Sequence, residues 1–184
     1  MNNKVKEKIE SCEFSFSKEI KSSQIVFEPT LRKSCELNHC GKYKSNYCCP
    51  PHVGEIDDCI KKAQNFGDGY IFQLITQLED SYDFEGMMEG QERFKEKILK
   101  LNDLLHEANC KNFLLLGAGP CSVCETCGAI TGKECPNPSK KIASVESHGI
   151  FINPTLINVG LKYNNGENTV SYCGVVLIGG NKNE

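Results

Sequence analysis

The feature that most constrains this chain is a group of cysteines in its second half. Cys121, Cys124 and Cys127 have two residues between neighbours, and a fourth cysteine, Cys135, is followed by a proline. Thiolates are soft ligands, and four of them suit either a [4Fe-4S] cluster or a tetrahedral zinc ion. Intervals this short force the backbone to curl around one centre. The segment therefore predicts a metal or cluster loop.

The spacing favours an iron–sulfur cluster over zinc. Zinc sites usually pair two C-x2-C knuckles that a longer arm separates, whereas here three cysteines come from one tight turn. This turn resembles the C-x2-C-x2-C run of bacterial ferredoxins, and the proline after Cys135 adds to the likeness. In those ferredoxins the fourth cysteine follows after three residues, but Cys135 follows Cys127 after seven. Two arrangements stay open: Cys135 reaches the same cluster, or it serves a second site.

A second set of cysteines lies between Leu31 and Pro51, a segment without hydrophobic periodicity that predicts a loop. Its members are Cys35, Cys40, Cys48 and Cys49. They indicate a second metal or cluster site, with structural thiols as the alternative. Cys49 is favoured over its neighbour as the ligand, because the proline after it resembles Cys135-Pro136. Cys48 is then an additional thiol.

Three cysteines leave the second set one ligand short. The candidates for the fourth position are His39, Cys48, Cys173 and an exogenous molecule. An open position would make this site catalytic rather than purely electron-carrying.

The other thiols and the histidines are expected to be structural. Cys59 falls on an apolar helix face and Cys173 within a strand, so both predict small core residues, and Cys12 and Cys110 are similar. The isolated His52, His106 and His148 are interpreted as satisfied or solvated side chains. Arg32 and Lys33 either offset the charge of a thiolate-bound cluster or are ordinary surface charges.

Strand and helix patterns alternate along the chain and predict an α/β fold: a single mixed sheet with flanking helices and two cysteine-rich loops at one end. The predicted strands are residues 23–28, 69–78, 112–116 and 169–178. The predicted helices are residues 3–12, 55–66, 84–109, 139–147 and 153–163.

Length and composition set the remaining limits. A chain of 184 residues is expected to form one domain, residues 1–184, and its net charge of -3 argues against general nucleic-acid binding. No apolar run reaches 18 residues, and the charged segment from Met1 to Glu10 lacks an apolar signal core. We therefore expect a cytoplasmic protein without a membrane partner. In a reducing compartment, twelve cysteines favour metal binding over disulfides.

The two cysteine blocks also carry a resemblance. The chain resembles a family of small prokaryotic cysteine-rich proteins described as predicted metal-binding, a domain family without assigned function. The matching residues are Arg32, Cys35, Cys40, Tyr43, Cys49-Pro50-Pro51, Gly119-Pro120, Cys121, Cys124, Cys127, Cys135 and the segment Ser144–Ile150. The departures are the extra thiol of Cys48 and His148, which stands where a smaller residue is expected. The resemblance implies metal or cluster binding by two cysteine blocks in one domain.

Three functions follow as hypotheses. The first is a [4Fe-4S]-type redox protein that transfers electrons to an anaerobic metalloenzyme or helps to mature it, with a redox protein or that metalloenzyme as partner. The second is a cluster-dependent enzyme whose open iron acts on a small thiol or sulfur substrate. The third is a zinc-stabilised interaction module. The chain contains no G-x-G-x-x-G fingerprint after a strand and no Walker loop, so no nucleotide is indicated.

Overall fold

A computed structural model describes residues 2–179, which form one five-stranded mixed sheet in the order β1-β2-β5-β3-β4. All neighbouring strands are antiparallel except β3 and β4, which run parallel. The strands are β1 Phe16–Ile20, β2 Gly69–Gln77, β3 Phe113–Gly117, β4 Ala143–Ser144 and β5 Thr169–Ile178. The α/β class and the single mixed sheet with flanking helices are confirmed.

Six α-helices accompany the sheet in the described part of the chain. They are α1 Asn2–Glu10, α2 Leu31–Glu36, α3 Ile56–Gln64, α4 Phe84–Glu107, α5 Gly128–Thr131 and α6 Ile152–Asn158. Single turns of 3-10 helix lie at Ser22–Gln24, Pro138–Lys140 and Glu146–His148. No helix within residues 2–179 is long and apolar enough to cross a bilayer.

Both faces of the sheet are covered, which explains why β2 and β5 are nearly continuous apolar runs. Alternate residues of β2 point to opposite faces. Phe72 packs with α1 and α4, where Phe94 and Leu101 lie in the same core. Ile71 packs on the other side, with Ala63 of α3 and the turns that precede α6. The sheet therefore separates two hydrophobic cores.

The strongly periodic segments form the predicted elements with only their ends moved. The predictions for residues 55–66, 69–78, 84–109 and 169–178 correspond to α3, β2, α4 and β5, and those for 3–12, 112–116 and 153–163 to α1, β3 and α6. The start of α4 is set by Asp83, whose carboxylate accepts a hydrogen bond of 2.8 Å from the Gly86 N–H.

The strand predicted at residues 23–28 is wrong. A 3-10 turn occupies Ser22–Gln24, and Phe27 forms only an isolated bridge to Ile150. The strand lies earlier, at β1, where the residues from Phe16 to Glu19 are exposed. An edge strand paired on one side needs little apolar alternation, so the sequence pattern did not indicate it.

The helix predicted at residues 139–147 is also wrong. A 3-10 turn, the short strand β4 and a second 3-10 turn take its place. Ile142 and Val145, which a helix would place on one face, are buried in opposite cores on the two sides of the sheet. In addition, α2 forms at the start of the segment predicted to be loop throughout.

The expected single domain of residues 1–184 stays a prediction. It extends over Met1 and residues 180–184, which lie outside the described residues.

The core between the sheet and α4 predicts that a leucine-to-alanine substitution lowers the free energy of unfolding much more at a buried position than at an exposed one. Leu101→Ala removes a side chain that is 0% exposed, and we expect a loss of about 2–5 kcal/mol in the free energy of unfolding. Leu37→Ala, at a position that is 66% exposed, should change it by less than about 0.5 kcal/mol. Chemical denaturation measures both values. Equal losses would contradict this assignment of the core.

Candidate metal centre

All twelve cysteines are free thiols, and they divide by location. Cys12, Cys110 and Cys173 are buried in the two cores, as predicted. Cys59 is also buried, but its thiol donates to the Val53 carbonyl at 3.5 Å. The remaining eight are the predicted ligands, and they lie in two segments. We call residues 35–55 the first cysteine loop and residues 118–142 the second cysteine loop.

The second cysteine loop begins and ends at the same edge of the sheet. It leaves β3 at Gly117 and returns to β4 at Ala143, and these two strands pair in parallel, with Leu116 opposite Ala143. The Val145 N–H donates to the Gly117 carbonyl at 2.9 Å, which closes the base of the loop. The buried strand β3 therefore anchors the cysteines to the body of the domain.

The first cysteine loop is fastened to the second by polar contacts. The buried Asn46 donates from Nδ2 to the Cys121 carbonyl at 2.7 Å and accepts at Oδ1 from the Cys48 N–H at 2.9 Å. The Tyr47 hydroxyl donates to the Lys133 carbonyl at 2.8 Å. These bonds hold the two loops against each other.

One small cavity between the loops collects thiols from both of them, and we call it the thiol cavity. The cysteines that line it are Cys48, Cys121, Cys124, Cys127 and Cys135. Asn137 also lines it and donates from Nδ2 to the Cys124 sulfur at 3.4 Å. The structure thus brings Cys135 to the same cavity as the C-x2-C-x2-C run, and it adds Cys48, which the sequence indicated only as an additional thiol.

A wider cleft lies beside the thiol cavity and has a volume of about 470 Å³. Four thiols line it, those of Cys40, Cys121, Cys124 and Cys127. Cysteines of both sets therefore face one solvent-accessible space.

The thiols of Cys48 and Cys121 both line the thiol cavity, and their interaction shifts the two pKa values in opposite directions. The pKa of Cys121 is lowered to about 6, chiefly by the Cys48 thiol and despite burial, with help from the Val123 and Ile142 backbone and from Lys141. The same interaction, together with burial, raises the pKa of Cys48. Cys121 is therefore the thiol of this pair that is readily a thiolate.

Cys49 lies near the other members of the second set, Cys35 and Cys40. Burial is the main cause that raises its pKa to about 12, and the charges of Cys40 and Cys35 add to it. Smaller contributions come from Cys121 and Cys127. Cys35, Cys40 and Cys49 are therefore electrostatic neighbours, and the second set is not isolated from the first.

The candidates for the fourth ligand of this set are placed as follows. Cys48 lines the thiol cavity, Cys173 is buried in β5, and His39 is exposed. Glu146 is a further group near Cys35, because its charge contributes to the raised pKa of that thiol. Burial raises the pKa of Glu146 itself.

Arg32 fixes the helix that carries Cys35. Its guanidinium donates to the Gly54 carbonyl at 2.9 Å and to the Ser147 carbonyl at 3.2 Å, which ties α2 to the end of the first cysteine loop and to the Glu146–His148 turn. Its charge favours the thiolate of Cys35, although burial raises the pKa of that thiol overall. Arg32 is thus a structural cross-link that also supplies positive charge.

The donor chemistry of these loops fits a thiolate-bound metal group, since soft sulfur ligands line one cavity and are held from both sides. No three of the His, Cys, Asp and Glu side chains among residues 2–179 are close enough to hold one metal ion together. The site is therefore a set of converging thiols rather than a preformed single-ion cage.

Fold and thiols together define a cysteine-rich α/β metal-binding protein. Residues 18–178 match the family described as "Predicted metal-binding protein (DUF2284)", and the chain belongs to this family, whose function is unassigned. Comparisons with curated proteins and with solved structures find no match.

Sequence reasoning did not identify Asn46, Tyr47, Lys141 and Glu146 as residues of the site. Asn46 and Tyr47 stand directly before Cys48 and could have been noted for that position, but their partners are remote in the chain. Lys141 follows Cys135 without a motif, and Glu146 lies in the segment Ser144–Ile150, which the resemblance included without giving it a role. Only the return of the chain through β4 brings them near the thiols.

The buried His148 predicts a specific pH dependence of stability. Its side chain is 3% exposed, and burial, with the charges of Lys62 and Arg32, lowers its pKa to about 4 despite hydrogen bonding to the Ser144 backbone. Its Nδ1 is 3.1 Å from the Ser147 hydroxyl. The unfolded chain protonates this residue below about pH 6.5 whereas the folded chain does not, so acid favours unfolding.

Between pH 7 and pH 5 the free energy of unfolding should fall by roughly 2 kcal/mol more in the wild type than in His148→Asn. The other titrating groups are the same in both proteins, so their contributions to the free energy of unfolding cancel when one profile is subtracted from the other. Denaturation curves at both pH values measure it. Parallel pH profiles for the two proteins would show that His148 is not held neutral in the folded state.

Proposed function

We propose that this protein is an iron–sulfur redox protein that transfers electrons to an anaerobic metalloenzyme or takes part in its maturation. The proposal rests on membership in a family of predicted metal-binding proteins and on the arrangement of the thiols. Twelve free cysteines require a reducing compartment, so the proposal includes a cytoplasmic location. The partner is a redox protein or the metalloenzyme, with no role for nucleic acid or a membrane.

The convergence of the thiols is the observation that carries the proposal. Five cysteines from both loops line one cavity. Three of them, Cys121, Cys124 and Cys127, have the C-x2-C-x2-C spacing of bacterial ferredoxins. Together with Cys135 they supply the four thiolates that a [4Fe-4S] cluster needs.

The residues assigned to the first cluster are Cys121, Cys124, Cys127 and Cys135. When bound, the cluster supplies one-electron redox chemistry. The chain's own contribution is to stabilise negative charge on sulfur: Asn137 donates to the Cys124 sulfur, and Lys141 lies close enough to lower the pKa of Cys121. Hydrogen bonds and positive charge near the sulfurs favour the reduced, more negative state.

A second candidate function is an enzyme with an open iron, and one observation favours it. The set of Cys35, Cys40 and Cys49 has three thiols, and Cys40 lines a cleft of about 470 Å³ that admits a small molecule. A small thiol or sulfide would fill the fourth position. Anaerobic addition of sulfide to the purified protein should change its visible spectrum if this iron is open, and an unchanged spectrum favours the electron carrier.

Metal content tests the first cluster. Anaerobically purified protein should be brown, absorb broadly in the visible and bleach on reduction, and Cys135→Ser should lose the iron and sulfide of one cluster. Cys110→Ser is the matched control, since it changes a buried core thiol away from both loops. A colourless protein that carries only zinc would contradict the proposal and favour the zinc-stabilised module. Full iron content in Cys135→Ser would remove this residue from the ligand set.

Substitution of the two adjacent cysteines, Cys48 and Cys49, tests which of them is a ligand of the second site. Because Cys35 and Cys40 are electrostatic neighbours of Cys49, Cys49→Ser should remove the iron of the second site and leave the first intact. Cys48→Ser changes the neighbouring thiol, which lines the thiol cavity, and should leave the iron of the second site in place. Iron and sulfide analysis of both variants decides the matter. Iron loss of the second site in Cys48→Ser alone would reverse the assignment.

A further inference from the structure

A second cavity lies on the other side of Cys48, and its charged lining is basic. It has a volume of about 320 Å³, and we call it the basic cavity. The titratable nitrogen side chains that line it are His52, Lys62, Lys141 and His148. Among the described residues, no aspartate or glutamate lines it.

The basic cavity and the thiol cavity share a wall. Tyr47, Cys48 and Lys141 line both of them. A molecule bound in the basic cavity would therefore be separated from the cysteines of the second loop by little more than the Cys48 side chain. The sequence did not predict the basic cavity, because the residues that line it come from segments that are far apart in the chain.

Neither lysine of the basic cavity forms an ion pair with a carboxylate. The ion pairs found within residues 2–179 join Lys21 to Asp68, Lys95 to Glu92 and Lys140 to Asp103. The charge of Lys62 acts on the buried His148 and helps to keep it neutral, and that of Lys141 acts on the Cys121 thiol. An anion in the cavity would supply a counter-charge to Lys62 and a further one to Lys141.

The rest of the lining includes apolar side chains, which limit what kind of anion fits. They are Leu114 and Leu116 of β3, Val53 of the first cysteine loop and Ala143 of β4. A volume of about 320 Å³ is at the lower end of the range for small-molecule sites. A lining that combines positive charge with apolar side chains matches an organic anion with an apolar body better than a bare inorganic ion.

We propose that the basic cavity binds a small organic carboxylate, with its charge at Lys62 and Lys141 and its apolar body against β3. The site stands on the cavity and its charges alone, whether the neighbouring thiols bind an iron–sulfur cluster or zinc. Where a cluster is present, the carboxylate lies next to it across the Cys48 wall.

Calorimetric titration of the protein as isolated anaerobically tests the site with two probes of equal shape. Benzoate should bind saturably with one site per chain, whereas the neutral benzamide should bind at least about tenfold more weakly, since it cannot pair with the lysines. Lys62→Gln and Lys141→Gln lie on different segments, and each should weaken benzoate binding about fivefold. Lys61→Gln removes the neighbouring exposed charge of α3, which does not line the cavity, and should leave binding unchanged.

Equal binding of benzoate and benzamide, no saturable benzoate binding, or equal effects of Lys61→Gln and Lys62→Gln would each overturn this assignment. The iron content of the same variants is measured in parallel. Iron retained with benzoate binding weakened is the expected result for Lys62→Gln, which does not line the thiol cavity. Absence of iron with benzoate binding intact would refute only the cluster.

Discussion

The hydrogen bond from Asn46 to the Cys121 carbonyl is the contact on which the site depends. Polar contacts join the two cysteine loops directly. A buried amide satisfies one loop's carbonyl and the other loop's N–H, at 2.7 and 2.9 Å. Buried polar groups are costly when unpaired, so this arrangement strongly favours one relative position of the loops. The convergence of thiols from both halves of the chain follows from it.

The sheet supplies the rigid base for that contact. β3 and β4 pair in parallel and hold the two ends of the second cysteine loop side by side. The turn Glu146–His148, directly after β4, then accepts the Arg32 guanidinium through the Ser147 carbonyl. Since Arg32 lies one helical turn before Cys35, the same turn positions the start of the first cysteine loop. Contacts at the same edge of the sheet therefore hold both loops in position.

The two neighbours Cys48 and Cys49 illustrate how this geometry assigns chemistry. Successive side chains of an extended or turning segment point in different directions. Cys48 lines the thiol cavity and lowers the pKa of Cys121, whereas Cys35 and Cys40 help to raise the pKa of Cys49. Cys48 also forms the wall toward the basic cavity. One residue thus stands between the proposed cluster and the proposed carboxylate, an arrangement suited to coupling the charge on one side to binding on the other.

Features that depend on a local pattern could be predicted from the sequence. Each of β2, β5 and α4 is recognisable because its own apolar residues indicate which part of it is buried. The short intervals from Cys121 to Cys127 likewise make those thiols neighbours in any fold. Only the tertiary structure determined where the edge strands β1 and β4 lie, because few of their residues are buried and they show no clear apolar pattern. It also decided that Cys48 and Cys135 share a cavity, and that Lys62 and Lys141 line another one. The physical reason is that these contacts join polar side chains of segments far apart in the chain, 75 residues in the case of Asn46 and Cys121, and such contacts leave no periodicity in the sequence.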